Sequence, residues 1–160
     1  MPRTLDPDAA ADHLSRLYRL AWSLCGSRQL AEELTQETYA RVLSRPRRLR
    51  GDSDFQYLAR TLRNVVSDHW RAERRRPATD PELPDDAAAH GTDPDVAALA
   101  GQVYAAMAEL PAPLREVVAA VDVAGMTYAE AAAALEIPAG TVMSRLYRAR
   151  RRLAGTLAAA

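Results

Sequence analysis

The sequence contains no lysine: all 21 basic residues are arginine. It has one cysteine, Cys25, one phenylalanine, and only 6% aromatic residues. Each shortage excludes something. A lone thiol cannot close an internal disulfide and has no companions for a zinc site. Cys25 falls on the apolar stripe of a helix, so it reads as a small buried hydrophobe. Few aromatics and abundant alanine require close helix packing in place of bulky cores. No apolar run of signal-peptide type opens the chain, and no stretch approaches membrane-spanning length; the expectation is a cytoplasmic protein without membrane insertion. No phosphate loop, metal-ligand spacing or nucleophile constellation is present, and His13 and His90 are remote from His69. No catalytic residue, cofactor or metal is therefore expected, and the chain does not read as an enzyme.

What is present is a strong segregation of charge. The net charge of the 160 residues is zero. From Arg41 to Pro77, however, eleven arginines face four acids, a net +7. From Ala78 to Ala100 there are six acids and no base, and from Gly140 to Ala160 five arginines and no acid. Two basic blocks thus flank an acidic connector, which points to a polyanionic partner. Arginine alone supplies the charge, so each basic site offers a planar fork to phosphate or guanine.

Hydrophobic periodicity is helical throughout, and the fold class is all-α: two small helical domains joined by a flexible acidic linker, the second a helix-turn-helix. A first helix is predicted over about Ala10–Leu24, with Leu14, Leu17, Tyr18, Ala21, Leu24 and Cys25 on one face and Gly26 at its end. Ser27 caps a second, with Leu30, Leu34, Thr38, Val42 and Leu43 inward. Pro46 breaks it. Asp52 or Ser53 caps a third helix with the clearest stripe: Phe55, Leu58, Ala59, Leu62, Val65, Val66, His69 and Trp70. Prolines, acids and small residues then mark an extended linker over 77–94. Beyond it, Leu99, Val103, Ala106 and Leu110 form one helix face. Pro113 opens the next helix, with Leu114, Val117, Val118 and Val121 inward. The domain limits are 10–76 and 95–157.

The segment from Thr127 to Leu153 has the form of a helix-turn-helix. Thr127 and Glu130 make a capping box, the alanines Ala129, Ala132 and Ala133 admit a neighbouring helix, and Ile137-Pro138-Ala139-Gly140 is the turn. Thr141 caps the last helix, with Val142, Leu146, Ala149 and Leu153 inward. Met143, Ser144, Arg145, Tyr147, Arg148, Arg150, Arg151 and Arg152 remain for DNA. A bidentate arginine–guanine contact discriminates by roughly 1–3 kcal/mol, and phosphate contacts add salt-sensitive affinity. The basic end of the third helix could hold single-stranded DNA by charge and stacking, although Trp70 on the apolar stripe reads more readily as core. Glu32, Glu33 and Glu37 form an acidic face unsuited to DNA: it serves either a basic protein partner or solvent.

Read together, the string Ala31-Glu32-Glu33-Leu34-Thr35-Gln36-Glu37-Thr38 resembles the core-binding segment of the extracytoplasmic-function (ECF) sigma factors of bacterial RNA polymerase. Arg50-Gly51-Asp52-Ser53, Leu58-Ala59-Arg60-Thr61-Leu62-Arg63-Asn64 and Asp68-His69-Trp70-Arg71 resemble their promoter-melting helix. Leu110-Pro111, Leu114-Arg115-Glu116-Val117, Gly125-Met126-Thr127-Tyr128-Ala129-Glu130, Pro138-Ala139-Gly140-Thr141-Val142 and Ser144-Arg145-Leu146-Tyr147-Arg148-Ala149-Arg150 resemble their second domain. The resemblance spans about 12–157 and implies a protein that brings core polymerase to promoters. Glu33, Gln36 and Glu37 would dock on the clamp helices of the largest catalytic subunit, and the flap region would meet the second domain. Leu49 and Asn64 would hold a flipped −10 base, whose extraction costs a few kcal/mol, with Arg60, Arg63 and Arg71 on the strand. Ser144, Arg145, Tyr147, Arg148, Arg150 and Arg151 would bind the −35 element. The acidic linker would thread the polymerase's RNA path, and an anti-sigma factor would be the expected regulator. Met143 and Val121 stand where family members often carry basic residues, so the −35 sequence read would be unusual. An ordinary helix-turn-helix regulator that binds duplex DNA alone would leave the acidic face and the basic third helix unexplained; an inactive adaptor that sequesters partners through the same faces is a third reading.

Overall fold

Local polar signals set four of the helix starts. Within the residues that the computed structural model describes (3–45, 48–49, 53–76 and 94–160), the Asp6 carboxylate accepts the Asp8 N–H at 3.1 Å and Pro7 follows it, so a short α1 (Pro7–Ala11) forms ahead of α2 (Leu14–Cys25). The single helix expected over Ala10–Leu24 is therefore two. The turn at Asp12–His13 keeps Ala10 and Leu17 buried but leaves Leu14 51% exposed, outside the stripe assigned to it. Ser27 caps α3 (Arg28–Ser44), and Ser53 forms a capping box with Gln56 at the head of α4 (Asp54–Arg75). The alternative cap Asp52 lies outside the described residues, as do Arg50, Gly51 and nearly all of the 77–94 connector. Along α4, Phe55, Leu58, Ala59, Leu62, Val65 and Val66 are buried as the periodicity predicts, whereas Leu43 at the end of α3 is exposed.

Two residues at each of two sites form a strand pair that periodicity does not announce. β1 (Arg3–Thr4) runs antiparallel to β2 (Arg48–Leu49), with Arg3 opposite Leu49. A two-residue strand is too short to show alternation, and the fold remains all-α.

In the C-terminal half, α5 (Pro94–Ala108) buries Ala106 and Met107 and leads to buried Leu110, but its Leu99 is 61% exposed and takes no part in the core. Pro113 sits in the first turn of α6 (Ala112–Val118), as expected. The helix does not stop at Val118. It widens into a π-helical turn, Ala119–Val123, closed by Gly125 at φ +67°. α7 (Tyr128–Leu135) ends at Glu136, in the left-handed region at φ +57°. α8 (Ala139–Ala158) begins after Pro138, earlier than the Thr141 cap predicted for it, and without a side-chain cap.

The two halves share one continuous core. α4 lies against α7, and α2 against α5 and the π-helical turn. Trp22 of α2 packs on Tyr104 of α5 with ring centroids 4.1 Å apart. Gly26 ends α2 at φ +76°, and a Cβ there would stand 3.1 Å from the Ala108 Cβ, so both the turn and the approach of the second half favour glycine.

Candidate nucleic-acid interface

The helix-turn-helix is built from α7 and α8. The Thr127 hydroxyl accepts the Glu130 N–H at 3.2 Å, and the Glu130 carboxylate accepts the Thr127 N–H at 2.8 Å. The face that α7 buries is Ala131, Ala134 and Leu135; Ala129 and Ala133 are exposed and Ala132 only half-buried, so the alanines predicted to admit the partner helix are mostly on the wrong side. An alanine-rich helix has no size contrast between its faces, which is why its sequence misassigns them. On α8 the stripe is as predicted: Val142, Leu146 and Ala149 are buried and Leu153 half-buried.

The remaining side of α8 faces solvent. Ser144, Tyr147, Arg148, Arg151 and Arg152 are exposed and Arg145 is half-buried. Tyr147, at 63%, is the most exposed large apolar side chain among the described residues, and the Arg151 guanidinium lies 5.8 Å from its ring centre. Arg150 differs from its neighbours. Its Nη2 and Nε donate to the two carboxylate oxygens of Asp122 at 2.6 and 3.0 Å, which pushes its proton affinity above the ordinary arginine value.

The −10 candidates are divided. Arg60, Arg63, Asn64 and Arg71 lie along α4, and Asn64 and Arg71 are exposed. Arg60 donates to the Ala133 carbonyl of α7 at 3.0 Å. Arg63 lies between Glu116, at 3.5 Å, and Glu136, at 3.8 Å. Both arginines therefore face the second half of the chain. Leu49 is on β2 with 5% of its surface exposed, a member of the core. Trp70, read as core, is 37% exposed and lines a groove of about 550 Å³ with Leu24, Val66, Arg71 and Arg115. On α3, Glu33, Gln36 and Glu37 share an exposed surface. Arg41 bonds Glu37 at 2.7 Å and reaches Asp68 of α4 at 2.8 Å, and these two carboxylates hold its charge more firmly.

Two arginines matter structurally without having been singled out. Arg16 donates to the Ala124 carbonyl, stacks 3.6 Å from the Phe55 ring centre, and is lowered in proton affinity mainly by burial. Arg115 donates to the carbonyls of Met107, Ala108 and Leu110, and to Leu24 at the end of α2. Its place in the Leu114-Arg115-Glu116-Val117 string was legible, but its acceptors were not.

A capped helix-turn-helix with an arginine-bearing exposed face, joined to a second basic helix, defines a helical DNA-binding protein. Comparison with known proteins narrows this. The family model for Sigma-70 region 2 matches residues 10–76, and that for Sigma-70 region 4 matches residues 100–153. The chain is 34% identical over 151 residues to the ECF RNA polymerase sigma factor SigE of Mycolicibacterium smegmatis, covering 91% of this chain but 59% of the relative. It is 32% identical over 143 residues to the ECF RNA polymerase sigma factor EcfG of Rhodopseudomonas palustris, covering 88% of this chain and 78% of the relative. The sigma factor RpoE of Bartonella quintana, solved in complex with the anti-sigma factor NepR, superposes with a TM-score of 0.72 at 25% identity, covering 94% of each chain. The chain belongs to the ECF sigma factor family. Among the described residues no helix is long and apolar enough to cross a membrane.

Proposed function

We propose that this chain acts as a sigma factor of the ECF type: it binds core RNA polymerase, directs it to promoters and assists their opening, by binding rather than by catalysis. The observation that carries the reading is the pairing, in a chain of this family, of two helices with exposed polar or arginine-bearing faces, α8 and α4. The exposed face of α8 suits duplex DNA, and the polar edge of α4 at Asn64 suits an opened strand. The division of labour follows 10–76 and 95–157, with the acidic connector between. Ser144, Arg145, Tyr147, Arg148 and Arg151 are assigned to the −35 element. Asn64 offers a donor and an acceptor to the edge of an extruded −10 base, with Arg60, Arg63 and Arg71 around the strand; Leu49, buried in the core, does not line that surface in this state of the chain. Glu33, Gln36 and Glu37 are assigned to the polymerase clamp. That the B. quintana relative was solved with an anti-sigma factor supports control of this chain by such a protein.

The test is reconstitution. The purified chain added to its host's core polymerase is expected to start transcription at specific promoters. Asn64→Ala is expected to reduce promoter opening at least tenfold while core binding stays intact. A chain that binds no core polymerase overturns the proposal, and equal loss of binding and opening would make Asn64 structural.

A further inference from the structure

The arginines of α8 are not equivalent in position. At about 100° per residue, Arg150 stands only ~40° round the helix from Leu146, which is buried, whereas Ser144, Tyr147, Arg148 and Arg151 lie ~100–160° round. Arg150 thus borders the packed face, at the edge of the exposed surface, with its side chain 52% exposed. Its guanidinium is there engaged by Asp122, which hydrogen-bonds it through both oxygens at 2.6 and 3.0 Å. Asp122 comes from the π-helical turn Ala119–Val123. A π turn accommodates an extra residue and rotates the side chains that follow it relative to a continuous α-helix. Glu130 of the neighbouring α7 is committed to the Thr127 cap, and the Tyr128 hydroxyl is a further, weaker partner of Arg150.

We propose that Asp122 and Arg150 form a two-pronged strut that fixes the setting of α8 against the preceding helix, so that Arg150 is a positioning residue for −35 recognition and not a DNA contact. The inference rests on the promoter-reading role of α8. A planar fork held on two carboxylate oxygens resists rotation in a way that a single point contact does not. Loss of either prong lets α8 roll, and the bases facing Arg145 and Arg148 are then met at a poorer angle.

The experiment uses the full chain assembled with core polymerase, on duplex DNA bearing the upstream sequence that the wild-type holoenzyme enriches from a randomised pool. Affinity is measured for the enriched and for a mismatched upstream sequence, across a range of salt. Asp122→Asn is expected to lower affinity for the enriched sequence about fivefold, the upper range for an exposed ion pair, although it removes a negative charge near DNA. Arg150→Lys is expected to lose as much as Arg150→Ala, because lysine keeps the charge but not the fork. The double variant Asp122→Asn/Arg150→Lys should lose no more than either single change. Discrimination against the mismatched sequence should narrow in all of them, while the salt slope stays as in the wild type. A purely structural pair would lower thermal stability and leave discrimination untouched, which overturns the proposal. So would a direct phosphate contact: Arg150→Ala would then reduce the salt slope by about 1, Arg150→Lys would largely restore binding, and Asp122→Asn would bind as well as wild type or better. A wild-type holoenzyme that enriches no upstream sequence overturns the promoter-reading role, and the strut's role with it.

Discussion

Arg115 donates to four backbone carbonyls, at 2.8 to 3.2 Å, and so satisfies the C-terminal ends of two helices, α5 and α2, that belong to different halves of the chain. Helix ends leave carbonyls without partners, and a planar five-donor group can meet several at once. Its half-buried position lowers its proton affinity without threatening its charge. Arg115→Ala is expected to lower stability by about 3 kcal/mol, read from urea unfolding, and Arg115→Lys to recover little of it, because a point charge cannot reach four acceptors. Cys25 is the other residue whose surroundings decide its behaviour. Burial, only partly offset by hydrogen bonding to the Ser27 carbonyl, pushes its thiol up from 9.0 to about 11. The folded chain therefore keeps a proton that the unfolded chain releases first, so stability is lost as pH rises from about 9 through 11. A thiol reagent should label Cys25 slowly in the native protein at pH 8 and rapidly in denaturant, and Cys25→Ala should flatten the alkaline loss. Equal labelling rates would show an accessible thiolate.

At the scale of elements, the reader domain depends on a short helix with a weak stripe. α7 has eight residues, too few to be stable by propensity alone. Its capping box and the burial of Ala131, Ala134 and Leu135 hold it. Thr127→Ala removes an acceptor for the first-turn N–H groups and is expected to cost about 1 kcal/mol in thermal unfolding, with Thr127→Ser close to wild type. Caps of this kind are legible because donor and acceptor lie three residues apart. The face of α7 was not, because alanines on every side leave periodicity no contrast. The π-helical turn escaped for a similar reason: nothing in the sequence Ala119–Val123 distinguishes it from an ordinary α-helical segment.

At the scale of the whole molecule, the chain is closed. Arg16, Arg60 and Arg63 cross from the first half to the second, ending on Ala124, Ala133 and Glu116 respectively, and Arg115 crosses back from the second half to Leu24. Two of the four, Arg60 and Arg63, are also those proposed for the −10 strand; on that proposal the closed chain and the open complex compete for the same guanidiniums. Replacing both with alanine is expected to loosen the α4–α7 contact. In small-angle scattering the radius of gyration of the free chain should rise from about 15 Å, the value for a compact chain of this length. An unchanged radius would show that apolar packing alone keeps the halves together. Trp22, stacked on Tyr104 across the same boundary, gives a fluorescence signal for the same opening.

The sequence by itself determined the features held by short-range physics: where most helices begin and end, the stripe of α4, the buried side of α8, and the helix-turn-helix frame. Caps act over two or three residues and apolar stripes repeat every turn, so both leave their mark in the order of residues. Only the tertiary structure decided which arginines stay exposed and which are engaged by the protein. Arg150 finds its partner 28 residues away, Arg63 finds Glu116 53 residues away and Arg115 reaches Leu24 across 91. At those separations the choice between a carboxylate, a carbonyl and open solvent is set by packing. An exposed arginine and an engaged one look the same in the chain that encodes them.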